Sequence, residues 1–347
     1  MTEPAWQPTA TIEAIARRAE LYADIRAYFS AQDVLEVEVP VLGQYGVTDV
    51  HIDNPQGTVG GQKVYLQSSP EYFLKRLLAA YGRAVYSLGK AFREGESGAR
   101  HHREFTMLEW YRPAWDEHQL MDEVADLISA IGFESGTPSA SDNLGSSDNP
   151  ATEPQRLSYR DAFFTATGLD PHRAADAELR ELAAELGLSS GSDAGSDSDS
   201  SSECAACPRS TCLDFIFSFQ VEPNLPMGLV FIYDYPAAQA ALAKLSEDCH
   251  GNSIARRFEA FLNRMEVANG YWELCDADEQ RQRFEADNQS RIALGKKPMA
   301  IDESVLAALS HGLPECAGVA LGLDRILMQL LGVSSISEVL SFAELPD

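Results

Sequence analysis

"FREGESGARHHREFTMLEWYRP", running from Phe92 to Pro113, is the stretch that decides the fold. In a chain of 347 residues with a formal net charge of -26, it gathers Arg93, Arg100, His101, His102, Arg103 and Arg112. "AVYSLGKAFR" and "EFTMLEWYR" read as two strands joined by the basic loop. At the two-residue period of a strand, Phe105, Met107, Glu109 and Tyr111 share one face, and Thr106, Leu108 and Trp110 share the other. On the preceding strand Arg93 shares a face with Ala91, Gly89 and Ser87, whose small side chains leave room for a ligand. One sheet face would then present Arg93, Phe105, Glu109 and Tyr111 to a common cavity. A phosphate would meet the arginine, and a flat base would stack on Phe105. Taken alone, the stretch fits a hairpin with an incidental basic tip equally well.

Outward from this hairpin, residues 11–31 predict an amphipathic helix, with Ile12, Ile15, Ala19, Tyr22, Ile25 and Phe29 near helical spacing. "VLEVEVPVL" (34–42) reads as a strand with Pro40 near its end, and "KVYLQSSPEYFLKRLL" (63–78) as strand, turn and helix. In the turn, Ser69 suits an N-cap, Pro70 the first helical position and Glu71 the first turn. Residues 116–132, 277–294 and 302–310 read as helices, and the apolar stretch "GLVFIYDYPAAQAAL" (228–242) follows the polar segments. Two polar stretches, 135–155 and 189–207, carry too little apolar surface to bury and predict exposed loop insertions. Strands joined by hairpin-like connections favour an α+β arrangement with an antiparallel sheet.

A second hairpin is predicted in "FEAFLNRMEVANGYWEL" (258–274). If Asn263 and Arg264 form a two-residue loop, Leu262 pairs with Met265, Phe261 with Glu266, and Glu259 lies diagonal to Glu266 on one face. Two close carboxylates suit Mg²⁺ carrying a nucleotide, although a solvated acidic hairpin has the same sequence pattern. Strict alternation would turn Glu273 away from that face; a bulge at Asn269-Gly270 would bring it back. In "GVALGLDRILM", Gly318 and Gly322 allow close backbone approach and Arg325 opens a helix, a place that suits a phosphate tail.

Bulk properties narrow the function. The hydrophobic content of 45% supports a large core, no run of apolar residues is long enough to span a membrane, and the N-terminus lacks the pattern of a signal peptide, so a cytoplasmic location is expected. The six cysteines then read as reduced thiols; "CAAC" (204–207) has no second pair to complete a zinc site. Lysine occurs only at Lys63, Lys75, Lys90, Lys244, Lys296 and Lys297, so the acidic field offers no broad face for tRNA.

The three pieces together, "FRE…REFTMLEWYR", "EVANGYWEL" and "GVALGLDR", resemble the catalytic core of class II lysyl-tRNA synthetases over nearly the whole chain. The segment from the first helix to Pro40 is similar to that fold's first motif, which forms a dimer interface. The core begins within the first dozen residues, without the N-terminal anticodon-binding domain of those synthetases. In that respect, and in "LEWYRP" and "YPAAQAAL", the chain is most similar to the truncated elongation factor P–lysine ligases. The resemblance implies a single class II synthetase-like catalytic domain that activates (R)-β-lysine with ATP and Mg²⁺. It implies transfer to a lysine of elongation factor P, as a homodimer that does not use tRNA. The rival expectations are tRNA charging and activation of another amino acid for a small-molecule acceptor.

Residue by residue, the resemblance implies that Arg93 binds the α-phosphate and Phe105 stacks on adenine. Glu109, Tyr111 and Glu273 would hold the substrate's side-chain ammonium, and Ser69, Pro70 and Glu71 would surround its other amino group. Glu259 and Glu266 would hold Mg²⁺–ATP, with Val267 beside them, and Gly322 and Arg325 would meet the γ-phosphate. Departures from the family pattern are also present. Arg93-Glu94-Gly95-Glu96 replaces Arg-x-Glu, so Glu94 or Glu96 faces adenine, with Glu96 preferred. His101-His102-Arg103-Glu104-Phe105 puts His102 where an asparagine contacts ATP. Ala320 stands where lysyl-tRNA synthetases typically have glycine, and its methyl would favour a β-amino acid over an α-amino acid.

Overall fold

The computed structural model describes residues 6–133, 153–188 and 207–343; the predicted polar stretches lie almost wholly outside them, as does most of "CAAC". Helix α1 (Ile12–Ala31) begins at Thr11, whose hydroxyl accepts from the Ala14 N–H at 3.2 Å. Its buried stripe is Ala14, Leu21, Ile25 and Phe29, so the expected stripe is rotated and Ile12 and Ala19 face outward. The predicted strand over 34–42 is mostly extended chain. Only β1 (Leu35–Glu36) and β2 (Leu42–Gly43) pair, because Pro40 interrupts the ladder between them. β2, β3 (Gln56–Val59) and β4 (Gln62–Leu66) form a small sheet in the order β2-β4-β3. Helix α2 (Glu71–Tyr81) follows, with the Ser69 hydroxyl accepting from the Glu71 N–H at 3.0 Å.

The main sheet is built on β5 (Val85–Phe92) and β6 (Glu104–Pro113), antiparallel as predicted, with Ala91 opposite Phe105, Gly89 opposite Met107 and Ser87 opposite Glu109. After helix α3 (Glu117–Ala130) come β7 (Gln155–Ser158), α4 (Tyr159–Thr167), α5 (Asp176–Glu185) and α6 (Arg209–Ile216). Next are β8 (Leu229–Pro236), β9 (Leu245–Glu247), β10 (Ser253–Leu262) and β11 (Met265–Trp272). The chain closes with α7 (Ala277–Ala293), α8 (Glu303–Gly312), β12 (Cys316–Gly322) and α9 (Leu323–Leu331). The strand order is β1-β5-β6-β12-β11-β10-β8-β7, with β9 on β10. The interior pairs are antiparallel, whereas β1–β5 and β7–β8 at the two ends are parallel, so the sheet is mixed within an α+β fold.

The two faces of this sheet have different fates. Leu108, Trp110, Val319, Leu321 and Phe258 point into the largest core, where α1, α3 and α9 cover them. On the other face two smaller cores sit at opposite ends. One joins Val85, Tyr111 and Cys316 to α2 and α8; the other joins Val230, Ile232 and Phe261 to α4 and α6. The polar positions of the predicted site lie on the stretch of sheet between them.

Candidate active site

The carboxylates predicted for a cationic group come together under the start of α2. Glu109 is 2% exposed; it accepts from the Ser69 hydroxyl at 2.6 Å and from the Tyr111 hydroxyl at 2.8 Å. Burial, then repulsion from Glu71, pushes its carboxyl up to about 8 despite those donors. Glu273 is 1% exposed, and burial pushes it up to about 8 against the attraction of Lys75. Lys75 Nζ stands 2.7 Å from Glu71 Oε1 and 2.7 Å from Glu273 Oε2, while Glu273 Oε1 has no hydrogen-bond partner. Gly318 makes the packing possible: a Cβ there would lie 2.3 Å from the Tyr111 ring and 2.6 Å from Glu273 Oε1.

Glu273 reaches this face through a bulge, but not the predicted one. Asn263 and Arg264 do form the two-residue turn, both with positive φ (49° and 64°), and Leu262 pairs with Met265 and Phe261 with Glu266. The register then shifts, Ala260 facing Ala268, so Val267 is the extra residue. The regular pairing continues through Asn269 and Gly270, because a Cβ at Gly270 would meet the Phe258 ring at 2.5 Å and glycine serves packing there. The shift at Val267 puts Asn269, Tyr271 and Glu273 on the face of Glu259 and Glu266. It also turns the Val267 side chain into the core, which leaves only its backbone for a ligand.

Beyond Glu109 the same face becomes cationic. The Arg93 guanidinium lies 5.2 Å from the Phe105 ring centroid and 3.4 Å from Glu96 Oε1, and Glu94 is exposed. Arg325, in the first turn of α9, donates to the Glu266 carbonyl at 2.8 Å and to its carboxylate at 3.2 Å, with His101 Nε2 at 2.7 Å. Burial, then Arg325, holds the His101 imidazole below its ordinary pKa. His102 turns its Nδ1 to the backbone of Glu104, at 3.2 Å from the nitrogen and 2.7 Å from the oxygen, so only Nε2 remains for a ligand. Arg93 Nε, His102 Nε2 and Arg103 Nε are buried without partners, and a Cβ at Gly89 would meet nothing within 4 Å. Orphaned polar atoms around an open floor of small residues fit a polyanion with a flat base.

Glu259 and Glu266 line one cavity of about 160 Å³ with Asp214, Glu222 and Tyr235. Burial, opposed by Arg257 at 2.5 Å and aided by Glu266, raises Glu259 to about 7. Among the described residues no cluster of three or more His, Cys, Asp or Glu side chains could by itself hold a metal ion. A pair of carboxylates completed by phosphate oxygens is nonetheless the arrangement Mg²⁺ adopts on nucleotides, so the donors present fit it.

Several residues of the site were not predicted. Lys75 follows Glu71 by four residues on one helix face, a spacing that signals a pair, but its approach to Glu273 is tertiary. Arg257 donates to Asn269 Oδ1 at 3.2 Å as well as to Glu259. Asp324, next to Arg325, accepts from the Thr106 N–H at 2.6 Å and from Arg18 at 2.5 Å, fixing the strand of Phe105 to the helix of Arg325. Ala320 sits in register between Asn269 and Glu109, midway between the carboxylate pocket and the cationic patch.

The model of the tRNA synthetases class II (D, K and N) family matches residues 7–346. The chain is 43% identical over 344 residues to an elongation factor P–(R)-β-lysine ligase of Proteus mirabilis, covering 97% of each chain. It is 43% identical over 350 residues to the ligase of that name from Yersinia enterocolitica, covering 99% of this chain and 98% of the relative. It is 42% identical to that from Photorhabdus laumondii over 352 residues, covering 99% of each.

Proposed function

This chain belongs to the class II tRNA synthetase family, and we propose that within it the chain is the ATP-dependent ligase that activates (R)-β-lysine and attaches it to elongation factor P. The observation that carries this reading is the buried pocket of Glu71, Glu109 and Glu273 set directly beside the cationic face. Such a pocket selects amino groups, and the neighbouring patch takes the phosphates of ATP.

In the first step a carboxylate oxygen of the amino acid attacks the α-phosphorus, the bond to the bridging oxygen breaks, and pyrophosphate leaves. Arg93 would meet the α-phosphate, Arg325 and Gly322 the γ-phosphate, and Phe105 the adenine. Glu96, already beside Arg93, is better placed than the exposed Glu94 to accept from the base. His101 lies next to Arg325, and His102 would offer Nε2 alone. Glu259 and Glu266 would hold Mg²⁺, which when bound neutralises phosphate charge; Val267 contributes backbone. Glu109, Tyr111 and Glu273 would orient one ammonium and Ser69, Pro70 and Glu71 the other, with Ala320 between them and the nucleotide. In the second step a neutral lysine amine of the acceptor attacks the adenylate carbonyl, AMP leaves, and the nitrogen loses a proton as the amide forms. Alignment and fixed charges do the work, so no protein nucleophile is needed.

The remaining parts of the reading concern assembly and setting. The whole chain is one catalytic domain with polar insertions, without use of tRNA. Leu35, Val41 and Leu42, 44%, 39% and 48% exposed on the segment that follows α1, support pairing of two copies. The five described cysteines are free thiols, which supports a cytoplasmic setting, and among the described residues no helix is long and apolar enough to cross a membrane.

The test is transfer of labelled (R)-β-lysine and α-lysine, with ATP and Mg²⁺, to purified elongation factor P and, separately, to tRNA. Label on the protein, with β-lysine preferred, is expected. Label on tRNA alone would overturn the acceptor assignment while leaving the activation chemistry.

A further inference from the structure

Lys75 is a charged side chain that neither step uses. It is 1% exposed, on α2, with both neighbouring carboxylates drawn from the pocket assigned to substrate. An ammonium buried this deeply is costly unless paired, and a neutral side chain of similar length would fill the same volume. Its charge therefore needs a reason, and the surrounding charges supply one.

Glu71, Tyr72 and Lys75 face the pocket from α2, Glu109 and Tyr111 from β6, and Tyr271 and Glu273 from β11 and the residue just past it. Cys275 points its thiol at the Glu273 and Pro314 carbonyls, both at 3.6 Å, and Cys316 lies beside it. Through Tyr271 the pocket also feels Arg257 and Glu259, which pair with each other at 2.5 Å and cancel. Burial keeps Tyr72 and Tyr111 well above their ordinary range, and burial raises Tyr271 as well, so all three stay neutral. Arg76 of α2 and Asp302, just before α8, line the cavity beside Ser69 and Glu71 with opposite formal charges that offset each other, so what remains is three carboxylates against one ammonium, a formal surplus of two negative charges. Burial works against the Lys75 ammonium, but Glu273 and Glu71 outweigh it and hold it charged.

We propose that Lys75 is a specificity-determining residue: a built-in cation that pairs with both Glu71 and Glu273 and leaves the pocket the two formal negative charges that a substrate with two ammonium groups balances. This rests on the diamino-acid reading above. A substrate with one ammonium leaves one buried carboxylate uncompensated, and removal of Lys75 leaves one uncompensated even with the proper substrate. A lost charged contact of this kind is worth roughly 10- to 100-fold in substrate use.

The experiment is amino-acid-dependent ATP–pyrophosphate exchange between pH 6 and 9, on the wild type and Lys75→Met, with (R)-β-lysine and with 6-aminohexanoate, which lacks the second amine. In the wild type the KM for β-lysine is expected to fall as pH rises toward the range where Glu109 and Glu273 ionise, and 6-aminohexanoate to be at least about tenfold poorer. In Lys75→Met the KM for β-lysine rises roughly 10- to 100-fold with the KM for ATP little changed. Its pH limb also moves to the alkaline side, because carboxylates deprived of a cation titrate higher. An unmoved limb with unchanged KM would make Lys75 a packing residue and overturn the proposal. Equal use of the two substrates by the wild type would overturn it without any variant. A wild type that activates no diamino acid would remove the functional reading itself, and this inference with it.

Discussion

Gly318→Ala is the sharpest single perturbation of the proposed substrate pocket. The position lies on β12 between Tyr111 and Tyr271, and its backbone is ordinary strand, so a methyl group is its only change. The added Cβ would sit 2.3 and 2.5 Å from two Tyr111 ring carbons and 2.6 Å from Glu273 Oε1, all closer than a carbon tolerates. The ring and the carboxylate are both buried, so neither can swing into solvent, and both must shift within the pocket. Overpacking of this kind costs about 1–3 kcal/mol of stability. The displaced Tyr111 loses its 2.8 Å bond to Glu109, and Glu273 loses its 2.7 Å approach to Lys75. Two charged contacts disturbed at about 1.5–3 kcal/mol each put the loss in kcat/KM for β-lysine at 100-fold or more. The assay is pyrophosphate exchange at varied β-lysine and varied ATP. The KM for ATP should stay within about twofold, since Phe105, which meets Arg93, lies six residues from Tyr111 along β6. A variant that folds, loses no stability and keeps wild-type kinetics would refute the close packing of these three groups.

Other outcomes follow from the same geometry. Ala320→Gly removes the methyl between Asn269 and Glu109 and is expected to improve use of α-lysine relative to β-lysine; unchanged selectivity in the transfer assay would refute that role. Asp324→Asn weakens the link between Thr106, Arg18 and the helix of Arg325. It should raise the KM for ATP about tenfold while sparing that for β-lysine, with Arg18→Lys milder than Arg18→Met; equal effects on both substrates would mark a general fold defect instead. Glu109 and Glu273, each raised to about 8, add stability at low pH that is lost as pH climbs through that value. Because His101, His118 and His172 are all held below their ordinary range, the window from about pH 7 to 8 is governed by raised carboxyls, with Glu259, at about 7, adding to the same trend. In denaturant titrations there the substrate-free protein should weaken with rising pH and β-lysine should restore it; a flat or opposite trend would count against the raised carboxyls.

Much of this was legible wherever one period governs a stretch. The β5–β6 hairpin and its faces follow from alternation alone, and the Asn263-Arg264 turn fixed the pairing of Glu266. The face of Glu273 was legible only as a requirement: some bulge had to exist, but sequence pointed to Asn269-Gly270, whereas the extra residue is Val267. Gly270 is a glycine because Phe258 presses on it, a contact between strands that no local pattern reveals. The stripe of α1 was misplaced because Ile12 sits beyond the edge of the core and stays exposed. Helices α4 to α6 are short and flanked by polar chain, so their apolar residues form a core only once gathered around β8. Lys75 and Asp324 were missed for a related reason. Each is defined by a partner far away in sequence, and only the fold supplies the partner.

The question of why so acidic a chain collects cations at this hairpin comes down to the partners that hold those cations. Arg93 rests on Glu96 at 3.4 Å, Arg325 on Glu266 at 3.2 Å, and Arg100 on Glu222 at 3.7 Å. These are long, partly exposed pairs, and such pairs are worth about 0–1 kcal/mol. The carboxylate pocket is built the opposite way, with short contacts among groups that are almost fully buried. On the proposed function the contrast has a purpose. Phosphates offer an arginine shorter, bidentate contacts than a half-exposed carboxylate does, so exchanging partners costs ATP little. When Arg325 turns to phosphate it also releases Glu266, and the carboxylate set free is one of the pair that would hold Mg²⁺. The weak pairs thus offset repulsion among the cations without competing with the ligand. The strong, dry pocket, by contrast, keeps its geometry fixed and is where discrimination between amino acids has to arise.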